Sequence, residues 1–357
     1  MPNFRADIRE ISPYLPGRSV AEIAREHGFD PDDIVKLASN ESAVPPLEAV
    51  QAVIREGAGS VHRYPDNDAV ELRRALATNL GVDEASVWMG GGSSELLRVI
   101  ALGMGGPGTS AVYAWPSFVI YRLASVLAMS HRVEVPLANQ RHDLDAMADA
   151  IGDDTTVVYV CNPNNPTGTH VTASEISRFV EAVPERVLVV IDEAYHEYVT
   201  APDHATAIPL ALERPNVVVT RTFSKIHGLA ALRAGYAVAR PETVTELRKA
   251  QAPFTVSTLA QLAALESLRH PAELQARMER NATERSRIER SLAELGVGHV
   301  PSQGNFVFVD ASSLEDPATA YLRHGLIVRV FGQWVRVTVG EPDENDRFLG
   351  AVTALHP

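Results

Sequence analysis

The sequence predicts an α/β fold in two parts: a mainly parallel, seven-stranded sheet with helices on both faces, and a smaller α+β domain at the C-terminal end. Three observations predict it. From about Ser86 onward, short β-branched runs alternate with stretches of helical period, the pattern of strands joined by helical crossovers. The most unusual polar motifs fall at the ends of those runs, where the loops of a parallel sheet converge on ligands. After Thr258 the alternation stops, and two helical stretches lead into a separate group of short strands.

The seven strand candidates are residues 86–89, 110–113, 131–135, 156–161, 187–191, 217–220 and 235–239. Helical stretches follow over 259–269 and 272–295. The second carries Leu274, Met278, Ile288, Leu292 and Leu295, a stripe that Asn281 and Arg285 interrupt. Its dense Arg and Glu, including Glu273 with Arg277, read as a solvated face with ion pairs along the helix. Strands are then expected over 305–309, 326–330 and 334–339, with a closing helix from about Glu344. The chain accordingly divides into 1–40, a large domain over 41–265 and a small domain over 266–357.

Bulk chemistry narrows the function. Among 357 residues, 45% are hydrophobic and the formal net charge is -13. Enough apolar material is present for two cores, but not the clustered Lys and Arg that neutralise phosphates along a nucleic acid. The single cysteine, Cys161, excludes an internal disulfide and reads as a small buried hydrophobe. No apolar signal core opens the chain, and charges break each long hydrophobic run before membrane-spanning length. A cytoplasmic enzyme of small molecules, bound to neither membrane nor nucleic acid, is expected. The histidines show no spacing of a metal site.

The sharpest local signal is Lys225, in Arg221-Thr222-Phe223-Ser224-Lys225-Ile226-His227-Gly228, with Arg233 eight residues on. A lysine that follows an apolar run and sits among small and hydroxyl residues is suited to condense with an aldehyde. Desolvation beside a second cation such as Arg233 lowers its pKa as that chemistry requires. The aldehyde this implies is pyridoxal phosphate. Four motifs supply what such a cofactor needs. Met89-Gly90-Gly91-Gly92-Ser93-Ser94-Glu95 is a glycine turn into a helix start, able to hold a phosphate. Asn162-Pro163-Asn164-Asn165-Pro166-Thr167-Gly168 fixes a turn that can aim an amide inward. Val190-Ile191-Asp192-Glu193-Ala194-Tyr195 sends a carboxylate into a desolvated strand end, where it needs a cationic partner such as a protonated pyridine nitrogen. Thr222, Ser224 and Arg233 suit a phosphate dianion.

In this order, the motifs resemble the fold type I pyridoxal phosphate enzymes, specifically class I and II aminotransferases of the histidinol-phosphate and aromatic amino acid group. The resemblance extends to Pro13-Tyr14-Leu15-Pro16-Gly17, Leu37-Ala38-Ser39-Asn40-Glu41, Arg63-Tyr64-Pro65-Asp66 and Val335-Arg336-Val337-Thr338-Val339-Gly340. It implies that Lys225 carries the cofactor and moves the proton, and that Asp192 pairs the pyridine nitrogen. Asn165 and Tyr195 would bond the phenolic oxygen, and Phe118 would stack on the ring. The Gly91, Gly92 and Ser93 backbone, Thr222, Ser224 and Arg233 would hold the phosphate. Tyr64 would reach in from a partner subunit, so a homodimer with composite sites is implied, with the 1–40 arm serving the small domain and the dimer contact.

Substrate contacts implied by the resemblance are Arg336, Arg329, Tyr14, Asn40 and Tyr121. Along 334–339 the valines alternate onto one face while Trp334, Arg336 and Thr338 share the other. Two arginines suit a substrate phosphate, one suffices for a carboxylate, and Arg329 reads equally well as a structural ion pair. The segment Ser42-Ala43-Val44-Pro45-Pro46 departs from the Asn-Pro of many relatives, and His227 stands where many have an aromatic. The expected reaction is ping-pong transfer of an amino group from histidinol phosphate or an aromatic amino acid to 2-oxoglutarate. A decarboxylase resembling threonine-phosphate decarboxylases, or a β-eliminating lyase, is the alternative on this scaffold. A regulatory sensor would need a basic DNA-binding module, which this acidic chain does not show.

Overall fold

The structure is a computed structural model that describes residues 2–13, 17 and 19–356. Its strands, numbered along the chain, are β1 (Val35–Lys36), β2 (Val87–Gly90), β3 (Ser110–Trp115), β4 (His131–Pro136), β5 (Thr155–Cys161), β6 (Leu188–Asp192), β7 (Val217–Thr222), β8 (Gly235–Val238), β9 (His299–Val300), β10 (Phe306–Asp310), β11 (Leu326–Ile327), β12 (Arg329–Phe331) and β13 (Trp334–Thr338). Seven of them form one sheet in the order β2-β8-β7-β6-β5-β3-β4. Its pairs are parallel except those of β8, which runs antiparallel to both β2 and β7. Every strand of this sheet lies within two residues of its predicted bounds.

Period-two alternation sends side chains to both faces, and both are dry. Val158, Val160, Val189 and Ile191 enter one core; Val157, Tyr159, Leu188 and Val190 enter another beneath the helix Ser93–Met104. From β3 the chain goes outward to β4 and returns to β5 on the other side of β3. The loops after β3 and β5 therefore diverge and open a crevice, where open parallel sheets bind ligands. Asn164 ties the two loops together. Its Oδ1 accepts from Ser117 Oγ at 2.7 Å, and its Nδ2 donates to Pro116 O at 3.2 Å and Thr167 Oγ1 at 2.9 Å.

The second lobe is a four-stranded antiparallel sheet, β12-β13-β10-β9. Its core joins Val307, Val309, Val335 and Val337 to Ile288 and Leu292 of the helix Pro271–Glu294, and to Val35 and Leu37 from near the chain start. The strand expected over 326–330 is two strands. β11 pairs in parallel with β1, whereas β12 pairs antiparallel with β13; the chain changes sheets at Val328.

The helix Pro271–Glu294 also departs from expectation. Asn281 and Arg285 are buried, not solvated. Arg285 donates from Nη1 to Tyr198 O at 3.1 Å and Gly304 O at 2.9 Å, and from Nη2 to Thr200 Oγ1 at 3.0 Å. Arg277 bonds Pro45 O at 2.6 Å and Ile226 O at 3.3 Å, while Glu273 pairs with His270 at 3.2 Å. Polar residues that break the helix stripe thus satisfy loop carbonyls of the neighbouring segments, as buried backbone acceptors require.

Candidate active site

At the C-terminal ends of β5, β6 and β7 lies a cavity of about 250 Å³, closed on one side by the second lobe. β7 delivers Lys225 into it. Phe223, fully buried in the core, and His227, bonded to Ser267 Oγ at 2.8 Å, anchor the turn on either side of the lysine. His227 therefore packs, as expected. Lys225 Nζ donates to Asn40 O at 2.9 Å. Burial, then the charges of Arg336 and Arg233, push its pKa down to about 7, against Glu41 and Asp192. The sequence pointed to Arg233 as the neighbouring cation; Arg336, arriving from the other lobe, has the larger effect.

β6 ends on Asp192, which is 1% exposed. Burial raises its carboxyl to about 6, although Oδ2 accepts from Tyr121 Oη at 2.9 Å and Oδ1 from Ala194 N at 3.2 Å. Tyr121, expected to touch substrate, instead lies fully buried beneath the cavity as the donor that orients Asp192. Phe118, at the N-cap of the helix Val119–Leu127, lines the cavity, while Tyr121 one turn on packs edge-on against it at 5.9 Å and reaches down into the sheet. Cys161, its thiol pushed up to about 12 chiefly by burial, is inert.

Opposite Asp192, the helix Ser93–Met104 points its N-terminus at the cavity through Ser93 and Ser94. Gly91 and Gly92, expected to present N–H groups there, do not line it. Gly91 N donates to Glu95 Oε2 at 2.7 Å and Gly92 N to Gly90 O at 2.8 Å. Gly92 serves by what it lacks. At φ 86°, a Cβ there would stand 2.5 Å from Arg233 Nη2. Arg233 passes over it to donate to Ser224 Oγ at 3.1 Å, and Thr222 Oγ1 bonds Ser224 Oγ at 3.0 Å. The helix's first N–H groups, two hydroxyls and a guanidinium therefore meet at one end, an anion site by construction.

From the small lobe, Arg336 is 7% exposed and donates to Asn165 Oδ1 and, at 2.7 Å, to Ala38 O. Tyr195 Oη accepts from Asn40 Nδ2 at 3.0 Å, and Asn305 Nδ2 donates to Asn40 O at 3.2 Å. Asn305 and Ser94 were not among the expected contacts: Ser94 lies within the glycine-turn motif and Asn305 opens the strand expected over 305–309, but neither residue type alone signals a site. Arg329 stands in register with Arg336 and lines an adjoining cavity of about 430 Å³, which shares Phe118, Asn165 and Arg336 with the first. Ile11, Ser12 and Pro13 border it, while Tyr14 lies outside the described residues. Tyr64 does not line its own chain's cavity; it is 82% exposed and stacked on Phe254 at 4.7 Å.

The model of the family "Aminotransferase class I and II" matches residues 32–352. The chain belongs to the class I and II aminotransferases. Similar proteins include histidinol-phosphate aminotransferase 1 of Cupriavidus pinatubonensis, 42% identical across 97% of this aminotransferase and 94% of that protein. The aromatic amino acid aminotransferase of Thermobifida fusca is 44% identical across 98% and 96%. Among solved structures, histidinol-phosphate aminotransferase from Sinorhizobium meliloti, in complex with pyridoxal-5′-phosphate, superimposes with a TM-score of 0.88 at 29% identity, covering 99% of this aminotransferase and 98% of that chain. A threonine-phosphate decarboxylase from Porphyromonas gingivalis, at 24% identity and a TM-score of 0.79, shares the fold.

This aminotransferase is a pyridoxal 5′-phosphate enzyme, and its cavity fits that group. A buried carboxyl held up at about 6 favours a cation beside it, the lysine amine is already lowered to about 7, and the donor-rich end suits a phosphate. Among the described residues, no cluster of His, Cys, Asp or Glu suits a metal ion, and no helix is long and apolar enough to cross a membrane.

Proposed function

We propose that the enzyme transfers an amino group between histidinol phosphate or an aromatic amino acid and 2-oxoglutarate by a ping-pong mechanism. The observation that carries this reading is the pairing, in one cavity, of a lysine brought down to about 7 and a carboxyl brought up to about 6. Both groups are shifted toward neutral pH, as acid–base sites require. The names of the similar aminotransferases support the choice of donors.

In this reading the bound cofactor supplies an electron sink for the carbon that loses its proton. Asp192, oriented by Tyr121 and the Ala194 N–H, would hold the proton of the ring nitrogen. Asn165, whose carbonyl already accepts from Arg336, would keep its amide N–H for the phenolic oxygen, with Tyr195 as a second donor. Ser93 and Ser94 N–H, Thr222, Ser224 and Arg233 hold the phosphate. Lys225 Nζ would take the Cα proton and give it back, and Arg336 would hold the carboxylate of 2-oxoglutarate or of an aromatic amino acid. Phe118 covers the ring face.

We further infer that the enzyme works in the cytoplasm as a homodimer, with Tyr64 entering its partner's site. The exposed Tyr64–Phe254 pair supports this, because an isolated stacked aromatic pair on a surface costs burial that a second copy would recover. An amino-donor panel with 2-oxoglutarate, comparing histidinol phosphate with phenylalanine, tyrosine and histidine, tests the reaction. Transfer from at least one donor, with its oxo product formed in equal amount, is the expected result. Carbon dioxide released without that product would instead assign decarboxylation.

A further inference from the structure

The cavity adjoining the Lys225 site has an unusual wall. Four arginines line it, Arg122, Arg132, Arg329 and Arg336, and no acidic residue does so among the described residues. In a chain of net charge -13 this is a local reversal of sign, the arrangement that concentrates anions. Arg336 and Arg329 belong to the inner, small-lobe side. Arg122 and Arg132 come from the large domain, at the outer end, where they also border a surface recess with Glu134.

Their setting is specific. The Arg122 guanidinium lies 3.8 Å above the centre of the Trp115 ring, which fixes its plane. Glu134 takes Arg122 Nε at 2.8 Å and Nη2 at 2.6 Å, and Tyr113 Oη donates to the same carboxylate at 3.0 Å. Burial would raise the Glu134 carboxyl, but the Arg122 and Tyr113 hydrogen bonds, then the Arg122 and Arg132 charges, keep it below the usual range. Glu134 therefore stays ionised and cancels part of the Arg122 charge, and one face of the guanidinium's donor set remains beyond the carboxylate's reach. Between the two arginine pairs the wall is apolar, with Trp115, Phe118 and Phe331.

We propose that Arg122 and Arg132 form an outer anion subsite for the anionic group farthest from the small-lobe arginines, either the distal carboxylate of an oxo acid whose first carboxylate is held at Arg336 or the phosphate of histidinol phosphate, which carries no carboxylate, and that Glu134 sets its strength. The proposal rests on the transamination reading above. A distal carboxylate and a distal phosphate share this chemistry, and the choice of substrates separates them. The acceptor arm compares 2-oxoglutarate with 2-oxohexanoate; the donor arm compares histidinol phosphate with histidinol.

The test measures kcat/KM for each pair in wild type, Arg122→Gln, Arg132→Gln and Glu134→Gln. Each arginine variant is expected to lower the preference for the substrate with the distal anion roughly ten-fold in at least one arm, the size of one lost charge-assisted bond. The acceptor arm alone responding assigns a carboxylate, the donor arm alone a phosphate. Glu134→Gln is expected to raise the same preference, because it leaves Arg122 uncompensated. That opposite sign separates anion binding from a structural ion pair, whose two halves would fail alike. Equal losses for both members of each pair, or a Glu134→Gln loss matching that of Arg122→Gln, overturn the proposal. Should Arg122→Gln not fold, exposed Arg132 and the Glu134 variant still decide it. Absence of transfer from every donor in wild type would sink the underlying reaction instead.

Discussion

Lys225 owes its low pKa first to burial and then to Arg336, a residue 111 positions away along the sequence that reaches it from the other lobe. Only the neutral amine can capture an aldehyde. Capture of pyridoxal phosphate by the cofactor-free chain should therefore speed up as pH rises through about 7 and then level off. Arg336→Gln removes the largest opposing charge, so its inflection should move to higher pH. Stopped-flow absorbance reads both, and an inflection that stays put in the variant would contradict the assignment. At Asp192 the relevant neighbour is Tyr121, whose hydroxyl is the side-chain donor at 2.9 Å. Tyr121→Phe keeps the buried ring but withdraws that bond, which favours the protonated carboxyl. A roughly ten-fold slower single-turnover half-reaction with cofactor retained is expected; an unchanged rate would rule out the orienting role. Sequence made Asp192 legible because a charge ending an apolar strand is conspicuous. Tyr121 was expected at the substrate and lies beneath the cavity, because how deep a side chain sits on a helix face becomes visible only once the packing around it is known.

Among the elements, the helix Pro271–Glu294 shows where pattern reading stops. Its apolar stripe was legible, and its bounds nearly so. The dense Arg and Glu of this helix read as a solvated face, and the interruptions at Asn281 and Arg285 carried no sign of burial, because polarity alone does not tell a wet face from a buried one with partners. Arg285, 2% exposed and bonded to Tyr198 O, Gly304 O and Thr200 Oγ1, fastens the helix to loops of both lobes. Arg285→Met should cost about 2–4 kcal/mol of stability by orphaning those acceptors. Urea unfolding measures it, and a loss near zero would show that the carbonyls find water instead. The glycine turn gives the converse case. Its location was legible from composition, but the N–H of Gly91 is spent on Glu95, so the cradle begins at Ser93. A backbone donor's partner is settled by where a side chain four residues on folds back, which composition does not encode.

For the molecule as a whole, the seven-stranded sheet was legible throughout, since strands covered on both faces read as short continuous apolar runs separated by helical stretches. Its strand order was not, because that order depends on crossovers. Assembly is the remaining question at this scale. Tyr64→Ala should leave the fold intact while weakening cofactor retention in the dimer, as measured by sedimentation together with cofactor titration. Unaltered retention would remove Tyr64 from the partner's site.

The small lobe's core is sewn from both ends of the chain, with Val35 and Leu37 packed among Val335, Val337 and Phe348. A ribosome can thus finish the large sheet while this lobe still lacks its last strands. Until β13 arrives, Arg336 is missing, and β1 lacks β11 as its partner until Leu326 and Ile327 are made. The nascent lysine should accordingly behave as a more ordinary amine, and aldehyde capture at neutral pH becomes a late event of biogenesis. Chains truncated at residue 333 are expected to bind pyridoxal phosphate slowly at pH 7 and faster at higher pH. Rapid capture by such a truncated chain at pH 7 would show that the large domain activates its lysine unaided.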